Sequence, residues 1–349
     1  MPLHTEAKDL HRRSIIIDGL NVSRWGDAEV YRHLHEGGFT AINATVAVWE
    51  GSKQTLQNIG RFYRDFETYS EWIRPVASLA DLHAAKRENR VGIVFGFQNS
   101  SPIEDDLRLV EVFHRLGVRV IQLAYNDLNY AGAGCYERLD VGLSTFGVDL
   151  VKEMNRLGMV VDLSHVGHRS TMDAIELSEH PVWFSHANPK ALCEHPRNKT
   201  DDEVKALVAR GGVVGTNIFP AFLKRGYDST LDDVLDTIEY WVELAGIEHM
   251  SIGLDFTENQ SEEWFQWLMT GKRLDSPVFP LQLPLRLPQG IERADELPNL
   301  TAGLLERGYS HLDVQKILGL NVLRLFEQVW RECPAGKRAG AACRSSAQR

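Results

Sequence analysis

The chain has 349 residues, 43% hydrophobic and 25% charged, and its 48 Asp and Glu against 38 Lys and Arg give a formal net charge of -10. An acidic balance argues against nonspecific nucleic-acid binding, which depends on Lys and Arg at the phosphates. No apolar run approaches the ~20 residues of a membrane-spanning helix, so neither nucleic acid nor membrane is expected as a partner, and a small molecule is.

Short β-branched runs alternate with stretches of helical periodicity. Residues 14–18 (SIIID) form the first strand, followed by a helix over 28–35 that ends at Gly37-Gly38. Residues 39–49 (FTAINATVAVW) form the second, followed by a long polar and aromatic helix from 52 to 72. Residues 90–97 (RVGIVFGF) come third, with a helix over 103–116 that Gly117 stops. The fourth, 118–125 (VRVIQLAY), leads through a Gly-rich loop to a helix over 146–157. The fifth is 159–165 (MVVDLSH) and the sixth 181–186 (PVWFSH). The seventh, 212–219 (GVVGTNIF), precedes an acidic helix over 231–244, and the eighth is 249–256 (HMSIGLDF).

Eight strand-helix units without a hairpin signal imply a parallel sheet, because parallel neighbours need a crossover. The Gly-x-Gly-x-x-Gly fingerprint is missing after the first strand, which removes the support for an open dinucleotide fold. The expected fold is an α/β (β/α)8 TIM barrel. One domain is expected over residues 1–333, with a long Pro-rich loop at 257–297 carrying Trp264, Trp267 and Phe279 as a partly structured lid. Closing helices follow over 298–330, then a small, basic, disordered tail at 334–349. The four cysteines (Cys135, Cys193, Cys333, Cys343) form no C-x-x-C pair, so neither a disulfide framework nor a thiolate zinc site is indicated. The polar N-terminus lacks a secretory layout, and the expected location is cytoplasmic.

Active sites of such barrels lie at the C-terminal strand ends. Polar residues ending the apolar runs are Asp18, Gln98 and Asn99, Tyr125 and Asn126, His165, His186, Asn217 and Asp255. His165 and His186 each close a strand in a Ser-His pair, on successive strands ~4.8 Å apart. That spacing suits one metal at about 2.0–2.1 Å from each imidazole; a metal-free hydrogen-bonded pair is the alternative. Asp255 is a ligand or the group that moves a proton from water to a leaving amine, unless it caps the turn. Arg197 is placed to hold a substrate carboxylate or to form a surface salt bridge. Glu104-Asp105-Asp106 opens a helix and is structural. The other eleven histidines, among them His33, His35, His83 and His311, are expected at the surface.

Over residues 14–330 the chain resembles the membrane (renal) dipeptidase family of the amidohydrolase superfamily. The likeness is carried by Gly142-Leu143-Ser144, by residues 153–166 (EMNRLGMVVDLSHV), by Ser185-His186 and Arg197-Asn198, and by Ile252-Gly253-Leu254-Asp255-Phe256. It continues in Leu297-Pro298-Asn299-Leu300 and residues 319–324 (GLNVLR). The resemblance implies a zinc-dependent barrel that cleaves dipeptides at a two-zinc site. On this chain it assigns His165 and His186 to the second zinc, Asp255 to proton shuttling and Arg197 to the substrate carboxylate, with Asn198 and Tyr125 as further substrate-binding positions. Four positions depart from it. Leu20 and Val22 replace the His and Asp of the first zinc, Gln98 replaces the bridging Glu, and Tyr125 stands where the family has a substrate-contacting His.

Leu20 and Val22 cannot bind a metal, and Gln98 lacks the charge that would offset two divalent ions. The expectation is one zinc per chain, held by His165 and His186 with Gln98 or Asp255 as third ligand, in a hydrolase of dipeptides or similar amides with a free carboxylate. A metal-free or non-hydrolytic relative that binds a small molecule through the same mouth is the alternative. Self-association into a homo-oligomer is left open.

Overall fold

The computed structural model describes residues 2–274 and 277–330; the expected tail at 334–349 and the thiols of Cys333 and Cys343 lie outside the described residues. The strands are β1 (Ile17–Asn21), β2 (Ala41–Ala47), β3 (Ile73–Val76), β4 (Val91–Phe97), β5 (Val118–Gln122), β6 (Val160–Asp162), β7 (Trp183–Phe184), β8 (Val213–Thr216) and β9 (Met250–Ile252). Apart from β3, every strand residue is buried. Near-continuous apolar runs are what a parallel sheet covered on both faces requires.

All pairings are parallel, in the order β1-β2-β4-β5-β6-β7-β8-β9. The ends meet where Val22 N donates to Phe256 O (2.9 Å) and Asp255 N to Leu20 O (3.0 Å). The molecule is therefore the eight-stranded (β/α)8 barrel that the alternation predicts.

Two local expectations need correction. Between the second and third units the chain adds β3, paired to β4 off the barrel path, and the helix Leu79–Arg87. Ile73-Arg74-Pro75-Val76 is short, half exposed and interrupted by a proline, so it reads poorly as a strand and is tolerated only at an edge. The helix expected over 103–116 begins only at Arg108. Glu104 instead has φ 52 and reaches across to accept from Ser52 N (3.0 Å) and Ser52 Oγ (2.8 Å). The acid caps a helix N-terminus, but that of Ser52–Thr68.

Strand-start residues Ile17, Ala41, Val160, Trp183 and Val213 pack with Val322, Phe326 and Trp330 of the C-terminal segment. Trp183 meets Phe326 edge-on at 5.7 Å, and Phe326 stacks on Trp330 at 4.0 Å. This plug seals the barrel at the end opposite the polar strand termini. After β9 the helix Glu262–Thr270 starts at Ser261, whose hydroxyl accepts from Trp264 N (3.2 Å). The helices Leu297–Glu306, His311–Gln315 and Asn321–Val329 follow. Among the described residues no helix is long and apolar enough to cross a membrane.

Not all the remaining histidines are at the surface. His11 is buried between Thr301 Oγ1 (2.7 Å) and Gly37 O (2.9 Å), His33 is buried against Glu258 (2.6 Å), and His114 is buried as well. Each lies on a helix packed on the barrel; His11 and His33 have partners there, as buried polar groups require, whereas His114 Nε2 has none among the described residues.

Candidate active site

Each short strand hands its polar residue to the barrel mouth one to three positions after its last residue. His165 follows β6, His186 follows β7, Asp255 follows β9, Gln98 follows β4 and Tyr125 follows β5. All five are buried, the most exposed at 8%.

His165 Nε2 and His186 Nε2 are 3.0 Å apart. His165 Nδ1 donates to Asn126 Oδ1 (2.8 Å). His186 Nδ1 donates to Ser185 Oγ (2.7 Å), whose own proton goes to Asp162 Oδ2 (2.5 Å). These partners fix the proton of each ring on Nδ1 and leave both lone pairs on Nε2. Burial, Arg197 and, for His165, the second ring hold both imidazoles well below the ordinary histidine pKa, so both are neutral.

Two neutral lone pairs facing at this distance repel unless a cation or a shared proton lies between them. The spacing is close to that of two ligands on one ion: two nitrogens about 2.05 Å from a tetrahedral zinc lie roughly 3.3 Å apart. It does not fit a two-metal centre. Leu20 and Val22 are buried apolar side chains, and the two imidazoles meet without a third such ligand: among the described residues no group of three or more His, Cys, Asp or Glu could hold a metal ion.

Asp162 is the residue that sequence reasoning passed over. Its Oδ1 accepts from Ser164 N (3.0 Å), Ser164 Oγ (2.6 Å) and Ser185 N (3.2 Å), so one carboxylate orders both Ser-His pairs. The serine before each histidine was the available signal. Asn126 and Asn217 were noted only as strand ends; they orient His165 and Asp255.

Asp255 adopts φ 57, a left-handed conformation that costs a non-glycine residue energy and persists where surroundings enforce it. Asn217 Nδ2 donates to its Oδ2 (3.1 Å). Burial pushes its pKa up to about 6, against the opposing pull of Arg197 and Asn217. Tyr125 stacks on His165 at 4.1 Å and receives Trp49 edge-on at 5.1 Å. Gln98 Nε2 donates to Thr45 Oγ1 (3.0 Å).

Gln98, Tyr125, His165 and Asp255 line one cavity of about 30 Å³. Leu268, Met269 and Phe279 cover it, and Tyr136 and Phe222 complete its wall. His186, Arg197 and Asn198 do not line it. Arg197 is 1% exposed, donating through Nη1 to Ser164 O (2.6 Å) and through Nη2 to His186 O. It is thus neither a surface salt bridge nor open to the cavity; it braces the backbone behind the two histidines. Asn198 Nδ2 donates to Cys193 O (2.8 Å) and Phe222 O (3.1 Å), which ties its own loop together.

The family model described as membrane dipeptidase (peptidase family M19) matches residues 5–265 and 285–334. The chain is 33% identical over 284 residues to an uncharacterized dipeptidase of Schizosaccharomyces pombe, covering 79% of this chain and 62% of that one. It spans about three fifths of the length of the curated relatives it matches first. Among solved structures it resembles an amidohydrolase from Pseudomonas aeruginosa, with 42% identity, a TM-score of 0.90, and coverage of 93% of this chain and 99% of that one. A metallo peptidase from Rhodobacter sphaeroides, liganded with a phosphinate mimic of the dipeptide L-Ala-D-Ala, shares the fold at 20% identity and a TM-score of 0.76, over 91% of this chain and 100% of that one.

Proposed function

The chain belongs to the membrane dipeptidase family, and on that premise we propose that it hydrolyses a dipeptide or similar small amide with a free carboxylate, using one metal ion. The observation that carries this reading is the pair of neutral imidazoles converging beside a buried carboxyl of raised pKa. Such displaced acidities mark groups set up for proton transfer.

His165 and His186 would hold the ion, with Gln98 Oε1 as a neutral third donor, its Nε2 being engaged by Thr45. When bound, zinc supplies Lewis acidity to the carbonyl under attack. Asp255, largely ionised at neutral pH, takes a proton from the attacking water and returns it to the departing amine nitrogen. Asn217 keeps its carboxylate aimed. Tyr125 holds the plane of the His165 ring, while Leu268, Met269 and Phe279 keep bulk water away during the transfer.

A panel of L,L and L,D dipeptides incubated with zinc-supplemented protein tests this reading. Equal amounts of the two free amino acids are expected from at least one member; a fully intact panel contradicts it. The small cavity and the missing first-zinc ligands favour one second reading, a relative that binds a small molecule without cleaving it. That reading predicts ligand binding that survives chelation.

A further inference from the structure

Asp18 stands in β1, wholly buried, and has no part in the chemistry described above. An acid is an expensive choice for such a position, where an apolar side chain would carry no desolvation penalty. What it supplies is a hydrogen-bond acceptor at the seam where the barrel closes. Among the described residues β9 and β1 share no ladder, only the bridge between Asn21 and Phe256. Across that seam Asp18 Oδ1 accepts from Leu254 N (2.7 Å), and within its own strand from Leu20 N (3.4 Å). Leu20 O in turn accepts from Asp255 N (3.0 Å). The two peptide units that precede the Asp255 Cα are therefore both anchored to β1.

The same device recurs at the other thin junction of the barrel. β6 and β7 share one ladder pair, Asp162 with Trp183. There Asp162 Oδ1 accepts from Ser164 N (3.0 Å), two residues further along its own strand, and from Ser185 N (3.2 Å) across the junction. Asp18 repeats this pattern with Leu20 and Leu254. Asp162 orders the turns that carry His165 and His186; Asp18 does so for the turn that carries Asp255. That turn needs a hold, because Asp255 sits at φ 57, and such a conformation persists only where its surroundings enforce it.

We propose that Asp18 is the positioning residue of Asp255: its Oδ1, bridging Leu20 N and Leu254 N across the seam, holds the turn that aims the Asp255 carboxylate. The proposal rests on the reading of Asp255 as the base of a hydrolase. A protonated carboxyl still accepts through its carbonyl oxygen, so the hold is the same in both protonation states.

The test compares Asp18→Leu, which fills a similar volume without an acceptor, with Asp18→Asn, which keeps an acceptor oxygen, both in the full chain. With a dipeptide that the wild type cleaves, Asp18→Leu is expected to lower kcat by about tenfold to a hundredfold, the scale of loss for a misplacement of about 1 Å. KM and metal content should stay nearly unchanged, and Asp18→Asn should restore kcat. Adding Asp18→Leu to Asp255→Asn gives a readout that general loosening would not: the loss should vanish once Asp255 carries no base, as expected of two groups acting as one unit. Unchanged kcat in Asp18→Leu, losses that multiply in the double variant, or an Asp18→Asn variant as slow as Asp18→Leu overturn the proposal. Should Asp18→Leu not fold, amide exchange in the wild type decides. Leu254 N–H is expected to be as protected as the amides of β8 and β9, and faster exchange overturns the hold. A wild type that cleaves no dipeptide removes the hydrolase reading, and the same exchange measurement then judges the hold on its own.

Discussion

His165 and His186 bring their Nε2 atoms within 3.0 Å of each other although 21 residues separate them in the chain. Parallel pairing of β6 with β7 sets the two strand ends side by side, and Asp162 then fixes both Ser-His turns through four hydrogen bonds. The geometry is thus built in before any ligand arrives, which is how a site avoids reorganisation during reaction.

Asp255→Asn keeps the side-chain shape and removes the proton acceptor. The expected outcome is a loss of kcat of about 10²–10⁴-fold, the usual contribution of a general base, with metal content unchanged. Steady-state kinetics alongside elemental analysis checks both halves.

The pH profile follows from the same residue. Asp255 acts as a base only when ionised, and its pKa is pushed up to about 6. Below that pH, kcat/KM should fall about tenfold per unit. A profile flat down to pH 4.5 would remove Asp255 from the role of base.

Asp18 provides a test read by stability rather than by rate. It is fully buried, its Oδ1 accepts from Leu254 N (2.7 Å), its Oδ2 has no hydrogen-bond partner among the described residues, and burial pushes its pKa up to about 7. The folded state therefore keeps a proton that the unfolded chain releases near pH ~4. The stability this group contributes is complete below that value and is lost as pH rises through about 7. Asp18→Asn should gain in Tm relative to wild type between pH 5 and pH 8. An identical Tm difference at both values would show that Asp18 does not titrate in this way.

The cover over the inner cavity is latched by Arg273, whose Nε and Nη2 meet Asp127 Oδ1 at 3.2 and 2.5 Å. Trp49 Nε1 adds a bond to Leu268 O (3.1 Å). Arg273→Ala should raise amide exchange in the helix Glu262–Thr270 and leave the barrel strands unchanged. The pair is partly exposed, so the effect on global stability should stay within about 1 kcal/mol.

Much of this arrangement is legible along the chain because a parallel strand buried on both faces is a plain apolar run, and the residue ending it must lie at the mouth. Adjacency of His165 and His186 follows from their places on successive strands. What depends on the third dimension is not legible. Asp162 reads as a strand residue until β7 delivers Ser185 beside it. Arg197 reads as an open cation because nothing in the sequence tells which way the long loop after β7 turns its side chain. The proline in β3 hides a strand that pairs on one side only, and Glu104 caps a helix 52 residues earlier.

The central claim is one cation between two imidazoles, and elemental analysis of protein purified without chelator after zinc-supplemented growth tests it most directly. About one divalent ion per chain is predicted, lost in His165→Ala and in His186→Ala and retained in Asp255→Asn. Metal-free protein, or an ion that stays bound in both histidine variants, would contradict the account.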